Sequence, residues 1–412
     1  MEQDRRSRRD LVQNILILLL FLSSVLLLVL TWTLFSDHGG AAGDSAPPPA
    51  LQTELTALST PLRFAVTGRY GRYGALDMTT TEERFALPGS LLQEALGSAG
   101  SALPCREADF RAALSENSAY YDFETVLPLS VAAGLVGADA AQDLPVRRLL
   151  LAVSGSGVDL YFTDDAAYYC CATQVAAESL LTMIGSYQQG NAVFGFELSD
   201  QALAPYTLLL TDGSGEYSLL TARNPLGDTD ALLTRLGFNP RTNFRYSESN
   251  GTQVITEGDR SLRIQPDGMV IYDNGAGSQS LLPAAGEVVT AKEAVLGCFQ
   301  LFQRLFSDSG VSLCLQEIRQ EAEGWTLTFD YHSGGTVIRR SSGLPAAEVR
   351  FSGSSLTGFS LYPRQYTPQE TNALLLPLTQ AMAIAHPLEG RELTVRYVDS
   401  GADEVSVSWL AE

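Results

Sequence analysis

The sequence predicts an α+β fold of mainly antiparallel sheets with helices on one face, placed behind one N-terminal transmembrane helix. Three observations carry this expectation. The 25 positions from Leu11 to Phe35 contain no charged side chain and follow four arginines. Short apolar runs separated by Asn-Gly, Asp-Gly and Glu-Gly turns dominate the second half of the chain. Helical periodicity is confined to brief stretches between those runs.

The chain has 412 residues, long enough for two or three domains. It is 45% hydrophobic and 18% charged, so it can build a core. Its net charge of −20 argues against nucleic acid, whose binding needs phosphate neutralisation by Lys and Arg. Anionic lipid and anionic wall polymer are disfavoured as direct ligands for the same reason. The first ten residues hold three acids and four bases, so the negative excess belongs entirely to the rest.

As a helix, Leu11–Phe35 would be about 37 Å long, against a hydrocarbon core of about 30 Å. Arg5, Arg6, Arg8 and Arg9 precede it and Asp37 follows. The positive-inside rule then puts residues 1–10 in the cytoplasm as a short tail and residues 36–412 outside the cell. Trp32 stands near the outer end, where an indole suits the interface. A cleaved signal peptide is the rival reading, but its apolar region is shorter and ends in a small-residue cleavage site. Residues 36–60 read as a linker, because DHGGAAGDSAPPPA has little to bury.

Three blocks follow. In the first, 61–190, strands are expected at Leu62–Thr67, Ala119–Val126, Arg147–Val153, Val158–Phe162 and Ala167–Ala172. Helices are expected at Glu82–Leu96, Arg106–Leu114, Leu129–Val136 and Gln174–Tyr187. The second block, 191–282, reads as strands at Thr207–Thr211 and Glu216–Ala222, a helix at Thr229–Leu236, and hairpins turning at Asn250-Gly251 and Pro266-Asp267-Gly268. The third, 283–412, opens with a helix at Ala291–Phe306. Strands then follow at Val311–Ala322, Trp325–Tyr331, Ala346–Ser352 and Leu356–Tyr362. Thr367-Pro368-Gln369-Glu370 has the pattern of a capped helix start, with a helix running to Ala385. Leu393–Val398 and Glu404–Leu410 close the chain as a hairpin.

The chemistry-bearing residues form no catalytic pattern in sequence. Cys105, Cys170, Cys171, Cys298 and Cys314 include no CxxC, and one of the five must stay unpaired within the chain. Cys170 and Cys171 point to opposite faces if they lie in a strand. Cys298 and Cys314 allow a disulfide, although small buried hydrophobes are the preferred reading. His38, His332 and His386 make no paired-ligand spacing, and no nucleophile elbow accompanies them. Glu82-Glu83, Asp164-Asp165 and Asp228/Asp230 read as solvated turns or helix starts. Asp212, Ser214 and Glu216 alternate without the rest of a calcium loop. No P-loop and no strand-linked GxGxxG is present, so no cofactor and no metal is expected. Gly68–Gly74, the local basic-aromatic cluster, reads as a turn beside a strand or as a glycan- or peptide-binding loop.

The apolar run carries one further signal. Asn14, Phe21 and Leu28 fall at one heptad position, and Ile17, Ser24 and Thr31 at its pair. That face suits contact with a partner helix, each polar side chain contributing about 0.5–2 kcal/mol. The alternative is that Ser and Thr bond back to their own helix.

The N-terminal RRDLVQNILILLLFLSSVLLLVLTWTLF resembles the start of YycH proteins. Leu236–Tyr272 is similar to the central YycH/YycI region, with its Asn/Arg-Tyr element, Gly-Thr hairpin and DG-x-x-x-Tyr strand. Thr326–Tyr366 resembles the family's C-terminal module, in which a strand ending in Tyr leads to a hairpin. The resemblance covers most of the chain, rests on order and layout, and is weakest in the first block. It implies a membrane-anchored extracellular protein that associates with the WalK (YycG) sensor histidine kinase and adjusts cell-wall metabolism. A YycI-like companion is a further implied partner. It implies no catalytic residues. A membrane-anchored cell-wall enzyme and an assembly scaffold stay open as alternatives.

Overall fold

The computed structural model describes residues 54–412, apart from 141, 188–189, 199–202, 212–214, 240, 276–280, 283–288, 307–308 and 385–388. The expected tail, the transmembrane helix and most of the linker lie outside the described residues. No helix among the described residues is long and apolar enough to cross a membrane. The last linker residues are not a tether: Leu55–Ala57 makes a 3-10 turn, and Leu55 and Leu58 are buried. Two leucines three residues apart supply the apolar surface that the Gly/Pro stretch before them lacks.

The first sheet contains β1 (Pro61–Gly68), β2 (Gly71–Thr79), β3 (Leu103–Pro104), β4 (Ser118–Pro128), β5 (Pro145–Ser154), β6 (Gly157–Thr163) and β7 (Tyr168–Ala176). Their order is β2-β1-β4-β5-β6-β7-β3, antiparallel throughout. Among its helices are α1 (Ala86–Gly97), α2 (Glu107–Ser115), α3 (Leu129–Leu135) and α4 (Ala177–Gly185).

Strand alternation sorts this sheet's side chains into two cores. Phe64, Tyr121, Phe123, Leu149 and Leu151 face α1, α3 and α4. Ala65, Tyr120, Leu150 and Ala152 face the other way, against Phe110 and Leu114 of α2 and a two-stranded sheet, β8 (Ala192–Phe194) with β9 (Leu208–Leu210). The expectation of helices on one face is therefore corrected. A sheet buried on both sides needs cover on both sides, which the continuous apolar run of β5 announces.

The second sheet has 13 strands. From the expected middle block come β10 (Ser218–Arg223), β11 (Phe244–Ser247), β12 (Gln253–Glu257), β13 (Arg260–Ile264) and β14 (Val270–Asn274). From the last come β15 (Leu313–Glu321), β16 (Gly324–Ser333), β17 (Thr336–Arg340), β18 (Ala347–Ser352), β19 (Ser355–Leu361), β20 (Gln365–Asn372), β21 (Leu393–Asp399) and β22 (Glu404–Ala411). Strands β14 and β19 pair, as do β10 and β22, so the two blocks build one sheet. All pairings are antiparallel except β17 with β21.

Helices α5 (Thr229–Arg235), α6 (Ala291–Phe306) and α7 (Leu378–Ile384) accompany this sheet. Asp228 caps α5 by accepting the Asp230 and Ala231 N–H groups. Thr290 and Glu293 form a reciprocal capping box at α6. Helix α3 packs on α6, and one apolar core runs from Leu55 to Val405, so Thr53–Glu412 is a single compact unit.

The capped helix expected at Thr367 does not form. Thr367-Pro368-Gln369-Glu370 lies in β20, the edge strand beside β10, with Pro368 opposite Leu220. Proline has no N–H to give a ladder, and an edge strand tolerates that loss. Pairing with β10 outweighs the local cap signal, and the helix starts later, as α7.

Candidate functional site

Where β4 and β5 of the first sheet meet β21 and β17 of the second, a polar cleft of about 750 Å³ opens. Its charged wall includes Glu124, Arg147, Arg148, Asp165, Arg339 and Glu392. A second cleft of about 660 Å³ lies beside it and shares Glu124, Arg339 and Glu412.

Local backbone geometry delivers these groups. Register between β4 and β5 shifts after Asp122, and Glu124 sits in that irregularity with φ 63°. Asp122 Oδ1 accepts the Glu124 N–H at 2.8 Å and holds the turn. Asp165, φ 77°, occupies the β6–β7 turn, where Thr163 Oγ1 accepts its N–H. Asp164 caps the same turn by accepting the Ala166 and Ala167 N–H groups. Glu124 and Asp165 are the non-glycine residues with positive φ among the described residues, and both face this cluster. The expected solvated Asp164-Asp165 turn is thus half corrected: Asp164 serves the turn, and Asp165 serves arginines.

Arg63 donates to Glu392 at 2.8 Å and to Glu124 at 3.0 Å. Arg147 donates to both Glu392 carboxylate oxygens, at 2.7 and 2.8 Å. Arg148, 1% exposed, reaches Glu392 at 2.5 Å, pairs with Asp165, and packs over the Tyr206 ring. Arg396 bridges Glu124 and Glu412, and Arg339 bridges Glu412 and Asp330. Burial alone would raise the Asp122 carboxyl, but Arg148, Arg147 and Arg63 outweigh it and hold it below the carboxylate range. Glu392 is likewise held low against its burial by Arg63, Arg147 and Arg148. The Glu412 carboxyl, paired with Arg396 and Arg339, falls to about 2.

Burial dominates at two neighbouring groups. The Asp330 carboxyl is raised by burial in spite of Arg339. His332 is pushed down to about 4 by burial, with Nε2 3.0 Å from the Ser59 carbonyl oxygen. His332 is a neutral core histidine and does not line the cleft.

The cleft presents charge of both signs. Each cleft arginine already holds a carboxylate, and at the rim the Tyr206 hydroxyl lies 3.3 Å from the Glu107 carboxylate. Among the described residues, no three His, Cys, Asp or Glu side chains converge as a metal site. Cys298 and Cys314 are buried and unpaired, so the disulfide they allowed is not formed. Cys170 and Cys171 do take opposite faces, half-exposed and buried respectively. In the Gly68–Gly74 cluster, Gly68 and Gly71 flank the β1–β2 turn. Arg72 is buried beneath it, over the Phe194 ring and paired with Glu197.

The partner-helix candidates Asn14, Ile17, Phe21, Ser24, Leu28 and Thr31 lie outside the described residues, as do His38, Asp212, Ser214 and His386. No local sequence pattern marks the cleft. Its trace there is charge inside apolar strands: Arg63 in PLRFAV and Arg147-Arg148 before LLLAV. No protein-family model, curated protein or solved structure matches the chain.

Proposed function

We propose that this chain is a membrane-anchored, non-catalytic regulator of a sensor histidine kinase of the WalK (YycG) type, acting from outside the cell on cell-wall homeostasis. Leu11–Phe35 is its anchor, and its polar face contacts the kinase's membrane helices. The observation that carries the non-catalytic part is the ion pairing of the cleft. Arg63, Arg147, Arg148 and Arg396 are bound to carboxylates of the same chain, so the charges along and behind the cleft are committed to holding its shape. The YycH-like layout supports the choice of partner. To regulate, the chain must bind one kinase conformation better than another, since equal binding changes nothing.

The test uses the full-length chain purified from membranes. A histidine kinase should co-purify, and changing Asn14, Ser24 and Thr31 together to Leu should reduce its recovery. Undiminished recovery would remove the helix-face contact from the proposal. An anchored cell-wall enzyme is the second reading, favoured by the carboxylates that line the cleft. Release of muropeptides from purified peptidoglycan by the same preparation would establish that reading instead.

A further inference from the structure

We infer that Cys105 and Cys170 are a dithiol that closes to a disulfide on meeting a small-molecule disulfide oxidant, and that this bond clasps the rim of the polar cleft. The inference does not rest on the kinase reading.

Strand register brings the two thiols together. Leu103 pairs with Cys170 and Pro104 with Tyr169, and the Cys105 N–H donates to the Tyr168 carbonyl at 2.9 Å. Residues directly opposed in an antiparallel pair share a face, as do residues two apart in one strand. Cys105 and Cys170 therefore stand on the same face, near enough for the Cys170 thiol to bear on the titration of Cys105. Both are half-exposed, within reach of a small reagent. Cys171 is excluded, because it turns to the buried face with its thiol toward the Leu160 carbonyl.

The position matters because of the neighbours. Glu107 and Tyr168, each two residues from one of the thiols, line the cleft. The Tyr206 hydroxyl lies 3.3 Å from both the Glu107 carboxylate and the Tyr168 hydroxyl. Strand β3 is a two-residue edge strand and the sole ladder partner of β7 on that side. A covalent bond there fixes the start of α2, and with it the Glu107–Tyr206–Tyr168 rim.

The chemistry balances. Either thiol can open the exchange, and the balance is the same for both. The Cys170 thiolate attacks one sulfur of glutathione disulfide and expels a glutathione thiolate. Cys105, losing its proton to solvent, then attacks Cys170 Sγ and expels the second glutathione. Two protein thiols are oxidised and one disulfide is reduced to two thiols.

The test takes the full-length chain, reduced and then held in glutathione disulfide, and alkylates the remaining thiols before proteolysis. The free thiols should fall from five to three. A peptide joining Cys105 to Cys170 should appear, persist in Cys171→Ser and vanish in Cys170→Ser. Amide exchange at residues 105–109 should slow in the oxidised chain. Five free thiols after oxidation, a link through Cys171, or a link between two chains would overturn the inference. Unchanged exchange in the linked form would overturn the clasp.

Discussion

Arg63 and Glu392, 329 positions apart, share a 2.8 Å hydrogen bond that ties the first strand to the start of the last hairpin. The same carboxylate also receives Arg147 and Arg148. Removing one partner from a buried ionic cluster leaves the others uncompensated. Glu392→Gln should therefore lower the unfolding free energy by about 3–5 kcal/mol in chemical denaturation. The exposed Arg84–Glu82 pair is the control, and Arg84→Ala should cost less than about 1 kcal/mol. Equal losses would show that the buried cluster does not hold the two sheets together.

Glu124 adopts φ 63°, a conformation that costs a side-chain-bearing residue about 1–2 kcal/mol. Glu124→Ala and Glu124→Gly lose the same carboxylate, and only alanine keeps the strain. The glycine variant should be the more stable of the two by about 1 kcal/mol. The reverse order would mean that Glu124 is unstrained.

His332 titrates lower in the folded chain than in the unfolded one, about 4 against about 6.5. Between those values the unfolded state binds the extra proton, so stability falls as the pH drops through the window. The loss is roughly 3 kcal/mol by pH 4. Asp122 and Glu392, held low, give up their contribution only as the pH falls from the ordinary carboxylate range toward their folded values, mostly below the His332 window. Stability of His332→Gln should be nearly flat from pH 6.5 to 4.5 while the parent declines. Parallel curves would remove His332 as the cause.

Gly335 closes the β16–β17 turn at φ 82° with the Asp77 backbone against it. Gly343 has φ 74° and open space around it. Gly335→Ala should destabilise by about 1–3 kcal/mol more than Gly343→Ala, which carries only the dihedral cost. Thermal melts of the two variants compare them directly.

Much of this architecture is legible in the sequence because the signals are local. The Ala291–Phe306 helix was located to the residue by its periodicity, and Asn250-Gly251 and Asp267-Gly268 mark their turns through Gly251 and Gly268, both at positive φ. Strand β17 lies outside the expected strands: TVIRR turns back on β16 through Gly334-Gly335, a local signal, while its pairing with β21 nearly sixty residues later is not legible locally. Strand β20 departs from its local signal because Thr367-Pro368 is a good helix start until β10 pairs beside it. The cleft follows the same rule. No local pattern says that Arg63, Arg147 and Arg148 converge on Glu392; only the β1–β4–β5 ladder and the returning β21 bring them together.

The central claim is regulation by association, and kinase autophosphorylation in liposomes tests it most directly. A WalK-type kinase would be reconstituted alone, with the full-length chain, and with the chain carrying Leu at Asn14, Ser24 and Thr31. The account predicts that the full-length chain changes the phosphorylation rate and that the triple variant changes it less. A rate identical in all three preparations would contradict it.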